Sequence, residues 1–391
     1  MKAAAALLAC AVSLSACQGG HNGRTSPADS FRPAPPLGLP EVPVPPDNPL
    51  TPAKIELGRK LFLDRRLSHN GTLSCAMCHV PEQGFTSNEL ATPIGLEGRS
   101  LRRNAPTLYN VAYAASLFHD GRETSLENQA WGPLLARGEM GNPSVGYVIE
   151  KIKALPDYDG LFEQAFGRGP DMLTVGQALA AYQRTLLSAN SPFDRWYYGG
   201  EKNALTPEEQ RGFEIFRGKG GCAACHAFGE KHALFTDNGF HNNGIGWARS
   251  MGVKGKHSVQ LAPGLTVEVE EEMLQDFEPP LPDTGRFEIT FDPRDRWAYR
   301  TPTLRNVALT APYMHDGSLT TLEEVVAFYD RGGIDHPLKD PLLKPLGLTA
   351  EEKRALVAFL KALTGDNADR LARDARAAPQ PLELISKLRA R

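Results

Sequence analysis

The sequence predicts a mainly α-helical protein built from two tandem, homologous units. A Cys-x-x-Cys-His motif occurs twice, as Cys75-Ala-Met-Cys78-His79 and Cys222-Ala-Ala-Cys225-His226. A second block, Asn104 to Gly121, aligns with Arg300 to Gly317 at a constant offset of 196, and 13 of the 27 positions from 104 to 130 are identical. Helix-start signals recur, as in the capping boxes Thr206-Pro-Glu-Glu209 and Thr349-Ala-Glu-Glu352, while no sustained strand alternation does. The composition, 391 residues with 41% hydrophobic and 23% charged, is that of a folded chain long enough for two domains. Lys+Arg 43 against Asp+Glu 46 leaves a net charge of -3, which argues against nucleic acid as a partner.

Met1-Lys2 followed by an apolar run from Ala3 to Leu14 reads as an export signal, too short for a membrane span. It ends in Leu14-Ser15-Ala16-Cys17, which resembles the bacterial lipoprotein signal. That resemblance implies cleavage after residue 16 and lipid on the Cys17 sulfur, and Gln18 in the next position implies the outer membrane. Residues 17–50 carry Pro27, Pro33, Pro35, Pro36, Pro40, Pro43, Pro45, Pro46 and Pro49 with almost no apolar periodicity, which predicts an extended tether.

Cys75, Cys78, Cys222 and Cys225 remain for the mature body. In an exported chain, Cys-x-x-Cys-His reads as covalent attachment of haem c. Two thiols one helical turn apart reach the two vinyl groups of one porphyrin, and the adjacent histidine, His79 or His226, is placed to ligate the iron. The rivals fit less well. A zinc ribbon wants its cysteine pairs about 15–20 residues apart, whereas 144 positions separate Cys78 from Cys222, and a redox dithiol needs no trailing histidine. The fold class is therefore two cytochrome c-like haem domains from an internal duplication: an N-terminal one over 51–195, a C-terminal one over 196–370, and a tail over 371–391. The two motif offsets, 147 and 196, give the second unit about 49 extra residues between motif and block. Leu173 to Ala189 reads as a helix. Trp247 to Trp297 is ambiguous, with an acidic run at Glu268, Glu270, Glu271 and Glu272 that suits a solvated face.

The duplication also bears on the sixth iron ligand. Tyr329, in Ala327-Phe-Tyr-Asp-Arg-Gly-Gly333, falls on Pro133 when 196 is subtracted. Proline cannot ligate iron. If this segment covers the distal face in both units, Tyr329 closes the second haem while Pro133 leaves the first open to a small molecule. From the residues alone a packed aromatic is the plainer reading of Tyr329, and Met314 and His241 are rival ligands. An open haem that reduces peroxide needs a group that moves a proton from the near to the far oxygen. Glu139, six residues after Pro133, is the candidate, with a surface carboxylate as the bland alternative.

Together these residues resemble the bacterial dihaem cytochrome c peroxidase superfamily, which includes the methylamine-utilisation (MauG-like) enzymes. The resemblance spans about residues 50–365 and rests on the two haem motifs, Arg103-Asn-Ala-Pro-Thr-Leu108, Gln129 with Pro133 and Glu139-Met-Gly141, Thr301-Pro-Thr-Leu-Arg-Asn306 and Pro312-Tyr-Met-His-Asp-Gly317. It implies that His79 is the proximal ligand of the peroxidatic haem, Glu139 its acid–base residue with Gln129 beside it, and His226 the ligand of an electron-transfer haem. It also implies a calcium ion held by the Asn104 side chain and the Thr310 and Pro312 carbonyls, oxygen ligands suited to a hard cation.

Three departures from the well-known peroxidases matter. Tyr329 stands where they carry methionine, which matches the MauG-like branch. No histidine lies between Val80 and Arg103 to plug the first haem, so that haem is expected to be open without reductive activation. His119 occupies the usual interhaem tryptophan position, which puts electron hopping through it in doubt. The expected function is a periplasmic, lipid-anchored peroxidase reducing hydrogen peroxide with electrons from a small cytochrome c or cupredoxin. The alternatives are an oxidase that modifies a residue of a partner protein and, as a non-enzyme, a two-haem electron carrier.

Overall fold

The computed structural model describes residues 30–251, 256–262, 265–270 and 282–377. Cys17, the export signal and residues 378–391 lie outside the described residues. The first unit carries helices α1 (Pro52–Leu63), α2 (Cys75–Cys78), α3 (Leu126–Gln129), α4 (Trp131–Leu135), α5 (Val145–Lys153), α6 (Leu161–Phe166) and α7 (Met172–Gln183). The second begins with α8 (Pro192–Tyr197), α9 (Pro207–Arg217) and α10 (Ile245–Ser250). It continues with α11 (Phe287–Thr290), α12 (Leu322–Asp330) and α13 (Ala350–Lys361), and α14 (Ala368–Arg376) follows. Strands β1 (Phe240–His241) and β4 (Tyr299–Arg300) pair antiparallel, as do β2 (Lys256–Ala262) and β3 (Leu265–Glu270).

Each unit is organised by one crossing of its first and last long helices. α1 starts at the Thr51 cap with proline in the first turn, and α7 starts at a reciprocal Asp171–Thr174 capping box. They cross at Gly58, where a Cβ would come within 1.9 Å of the Ala178 carbonyl oxygen. α9 and α13, started by the two capping boxes expected at Thr206 and Thr349, cross at Gly212, where a Cβ would come within 2.0 Å of the Ala355 carbonyl. Around the first crossing Phe62, Phe85, Tyr109, Trp131, Phe162 and Tyr182 form one core. Phe193, Phe213, Phe216, Phe235 and Phe359 form the other.

The repeated block does the same work in both units. Asn110 and Asn306 both take the left-handed conformation, at φ 60. Asn110 binds residue 188 through both its amide groups, and Asn306 accepts from the Gly365 N–H, so each pins the chain leaving the unit's last long helix. This shortens one expected element: α7 ends at Gln183 rather than Ala189, because Asn110 draws residues 186–188 away as extended chain.

Further expectations are corrected by distant contacts. From Ser30 onward the proline-rich segment is no free tether. Phe31 bridges Leu50, Leu39 and Val42 pack on Leu187 and Ala189, and buried Asn48 donates to Glu127 Oε1 at 2.8 Å. An extended proline-rich chain needs only isolated anchors to dock, and isolated anchors leave no periodicity to read. Phe193, three residues short of the boundary expected at 195/196, packs in the second core. The tail expected from 371 begins inside α14, which returns to the first core: Tyr109 Oη donates to the Ala368 carbonyl at 3.1 Å, and Ala368, Leu371 and Ala375 pack there. The ambiguous stretch contains the β2–β3 hairpin, with Lys256 opposite Glu270.

Candidate active site: two haem-attachment pockets

The two Cys-x-x-Cys-His motifs sit in equivalent surroundings. Cys75 to Cys78 form the single turn α2, and Cys222 to Ala224 form a 3-10 turn. Burial pushes the thiols up, Cys75 to about 12, Cys78 to about 11 and Cys222 to about 12. His79 Nδ1 lies 3.1 Å from the Phe85 carbonyl, and His226 Nδ1 lies 2.9 Å from the Phe235 carbonyl. A carbonyl only accepts, so Nδ1 carries the proton and the Nε2 lone pair is left for a metal. Burial lowers both imidazole pKa values, against a raising contribution from the backbone at Pro106 and Pro302, the prolines of the repeated block. The threonine after each proline continues the support, Thr107 Oγ1 on the Gly84 carbonyl and Thr303 Oγ1 on the Leu234 carbonyl. Paired thiols, a neutral imidazole with fixed tautomer and a carbonyl behind it are the donor set that a covalently attached haem needs, and both sites fit it.

Opposite the first motif, Ala130 is helical and joins α3 to α4, so Gln129 and Pro133, four residues apart, share a helical face. Pro133 is half-buried, and its carbonyl accepts from the Met140 N–H, which folds the Arg137–Glu139 turn back onto α4. Gly95 allows this: a Cβ there would stand 1.8 Å from the Gly138 carbonyl. Glu139 is within electrostatic reach of both Cys75 and Cys78. Burial raises its pKa, and Arg122 pulls the other way. Arg122 also lies 3.4 Å above the Phe118 ring and binds Asp120 at 2.9 Å.

Opposite the second motif, Tyr329 sits on α12 within electrostatic reach of Cys222 and Cys225. Burial raises its pKa, while a hydrogen bond from the Asn243 side chain favours the phenolate, the form that ligates iron. Met314 shares that amide, its sulfur 3.7 Å from Asn243 Nδ2. The third rival, His241, has both ring nitrogens engaged, Nδ1 with Asp340 at 2.5 Å and Nε2 with Asp237 at 2.9 Å. A free Cys225 thiol, then Asp340 and Asp237, raises its pKa, and attachment at Cys225 would leave the two carboxylates as the raising groups. Cys225, Asp237 and His241 lie close enough to suggest a metal site, but a thioether at Cys225 takes its sulfur out of that set.

At the seam, the Asn104 N–H donates to the His315 carbonyl at 2.7 Å, its Nδ2 donates to the Ala91 carbonyl, and its own carbonyl lies 2.9 Å from His119 Nε2. The loop bearing Thr310 and Pro312 packs alongside, with Gly84 against the Leu309 carbonyl and Gly317 against Ala91. His119 is half-buried, and desolvation lowers its pKa to about 3. Sequence reasoning missed Arg122 and Asn243. Asn243 meets Tyr329 across tens of residues, and only the place of Arg122 directly after His-Asp-Gly offered a local signal.

A family profile described as di-haem cytochrome c peroxidase matches residues 52–203. The chain is 41% identical over 341 residues to the cytochrome-c peroxidase IdrP1 of Denitromonas iodatirespirans, covering 84% of this chain and 86% of the relative. It is 40% identical over 329 residues to the methylamine utilization protein MauG of Methylorubrum extorquens, covering 84% and 82%. Among solved structures, a MauG-like protein associated with microbial copper homeostasis superposes with a TM-score of 0.68 at 34% identity, over 85% of this chain and 95% of that one. The diheme peroxidase BthA of Burkholderia thailandensis superposes with a TM-score of 0.65 at 25% identity, over 86% and 96%. With two equivalent haem-attachment sites and relatives of this identity along most of its length, the chain belongs to the di-haem cytochrome c peroxidase family.

Proposed function

We propose that this chain is a dihaem peroxidase that reduces hydrogen peroxide to water at its first pocket with electrons entering at its second. The carrying observation is the asymmetry between the two sites: the half-buried Glu139 lies within electrostatic reach of Cys75 and Cys78, whereas Tyr329 lies within reach of Cys222 and Cys225. A haem bound at Cys75, Cys78 and His79 supplies the iron at which peroxide is bound and electrons are delivered. Glu139, ionised, takes the proton from the near oxygen and returns it to the far one, which leaves as water. Arg122 keeps that carboxylate ionisable against its burial, and Gln129 is the amide candidate for orienting the peroxide. The balance is one peroxide, two protons and two electrons to two waters.

In the second pocket Tyr329 is the proposed iron ligand, with Asn243 holding its oxygen. A hard phenolate favours the ferric state and so a low reduction potential. The two units are read as products of one duplication, since the block from 104 repeats at 300 and supports each proximal histidine in the same way. Calcium is proposed at the Asn104 side chain and the Thr310 and Pro312 carbonyls. The Asn104 amide nitrogen is committed to Ala91, which turns its oxygen the other way. The proposed setting is the periplasm, with Cys17 lipidated, and the proposed donor is a small cytochrome c or cupredoxin.

A second reading is favoured by Tyr329 and the identity to MauG: an oxidase that modifies a residue of a partner protein. It is separated by its products, since a peroxidase turns over with a reduced small redox protein while the oxidase changes a partner's mass. The test of the leading reading is the ferric absorption and EPR spectrum of wild type and Tyr329→Met, before and after one equivalent of peroxide. Mixed high-spin and low-spin signals are expected, with the substitution changing only the low-spin one and peroxide altering the spectrum. Two low-spin haems that ignore peroxide would make the chain an electron carrier and leave Glu139 without a role.

A further inference from the structure

Peroxide reduction in one unit with electron entry in the other requires electrons to cross the seam between them. We propose that Tyr299 is a redox relay on that crossing, stacked on His315 and exchanging its phenol proton with Asp283; the proposal rests on the dihaem reading above.

The backbone connections converge on this side chain. His79 bonds the Phe85 carbonyl, the adjoining Gly84 carbonyl accepts from Thr107, and three residues upstream the Asn104 N–H donates to the His315 carbonyl at 2.7 Å. His226 bonds the Phe235 carbonyl, the adjoining Leu234 carbonyl accepts from Thr303, and three residues upstream the Arg300 N–H donates to the His119 carbonyl at 2.8 Å. His119 Nε2 closes the loop on the Asn104 carbonyl at 2.9 Å. Tyr299 adjoins Arg300, and its ring lies parallel to that of His315, centroids 3.6 Å apart at 13°. Tyr299 and His315 are both buried, at 8% and 7% exposure. The short backbone paths from the two proximal histidines therefore meet at one stacked pair, and of its two rings the phenol is the more readily oxidised.

The surroundings hold the ring and provide for its proton. A Cβ at Gly246 would lie 2.8 Å from the Tyr299 hydroxyl and one at Gly285 would lie 3.2 Å from Cζ, so two glycines make room for the ring's polar end. The hydroxyl lies 3.4 Å from the Asp283 carbonyl, on the residue whose carboxylate Arg103 holds. Arg103 sits 5.6 Å over the ring and binds Asp283 at 2.6 and 2.7 Å. That guanidinium opposes a cationic ring, so electron and proton must leave together. In each crossing Tyr299 gives one electron towards the first haem and its proton to the Asp283 carboxylate, then recovers an electron from the second haem and the proton from Asp283. Peroxide is the oxidant and the external donor the reductant, so the relay is unchanged after each turnover. The end of the extra segment in the second unit supplies both Asp283 and Tyr299.

The test is a single-turnover reaction of the holoenzyme, with one electron placed on the second haem before mixing with peroxide. Tyr299→Phe keeps the stacking ring and is expected to slow oxidation of the second haem by at least about tenfold, with resting spectra and the first haem's reaction with peroxide unchanged. A second protein carries 3-aminotyrosine at position 299, which is more easily oxidised than tyrosine, and is expected to develop an aminotyrosyl EPR signal after peroxide. An unslowed second step in Tyr299→Phe, or no aminotyrosyl signal, would overturn the relay alone. A first haem inert to peroxide in wild type would overturn the dihaem reading and the relay with it.

Discussion

At Glu139 burial and a neighbouring cation act in opposite senses on one carboxyl. Burial is the larger influence and raises its pKa, so the proton-accepting form is lost at a higher pH than for an exposed glutamate. The rate of reaction with peroxide is therefore expected to fall as pH drops through that raised value, as stopped-flow traces across pH will read. Glu139→Gln should lower the rate by about 10²–10⁴ with haem content unchanged. Stability should move the other way. A carboxyl whose folded pKa is raised favours the fold most fully at low pH, and that contribution is lost as pH rises through the raised value. At pH 7 Glu139→Gln should thus melt no lower than wild type, with any gap closing towards pH 4. Glu139 was legible in the sequence only through its spacing from Pro133. Its partner Arg122 lies 17 residues earlier, and Asn243, the partner of Tyr329, lies 86 residues before it, so neither left a local pattern.

The helix crossings are where single atoms decide stability. Gly58→Ala and Gly212→Ala each force a methyl group into a carbonyl of the partner helix, with separations of 1.9 and 2.0 Å before relaxation. Each should cost about 1–3 kcal/mol in thermal or denaturant unfolding. The two crossings lie in separate cores, so the double variant should lose close to the sum. Helix starts were readable because capping is local: Thr206 and Thr349 each bond the backbone three residues on. Helix ends were less so. α7 stops at Gln183 because Asn110, more than 70 positions earlier, captures the chain beyond it.

Across the whole molecule, one buried ion pair joins three distant segments. Arg305, 1% exposed, bonds both oxygens of Asp194, at 2.8 and 2.9 Å, the Ala233 carbonyl, and the Gly38 carbonyl in the proline-rich segment. Asp194→Ala leaves that guanidinium buried and unpaired and should cost about 3–5 kcal/mol in equilibrium unfolding. Asp194→Asn keeps a hydrogen-bonding side chain in that position and should lose less. The equivalent residue in the first unit is Tyr109, which holds α14 through the Ala368 carbonyl. One repeated position thus anchors a different segment in each unit. The sequence by itself determined the cysteine–histidine motifs, the repeated block and the helical character, because attachment chemistry, residue identity and capping are written in neighbouring residues. Tertiary structure alone decided that residues 30–50 dock, that α14 returns to the first core, that Asn243 meets Met314, and that Tyr299 stacks on His315. Each of those depends on contacts between residues far apart in the chain, where burial and hydrogen bonding are settled by packing and leave no periodicity to read.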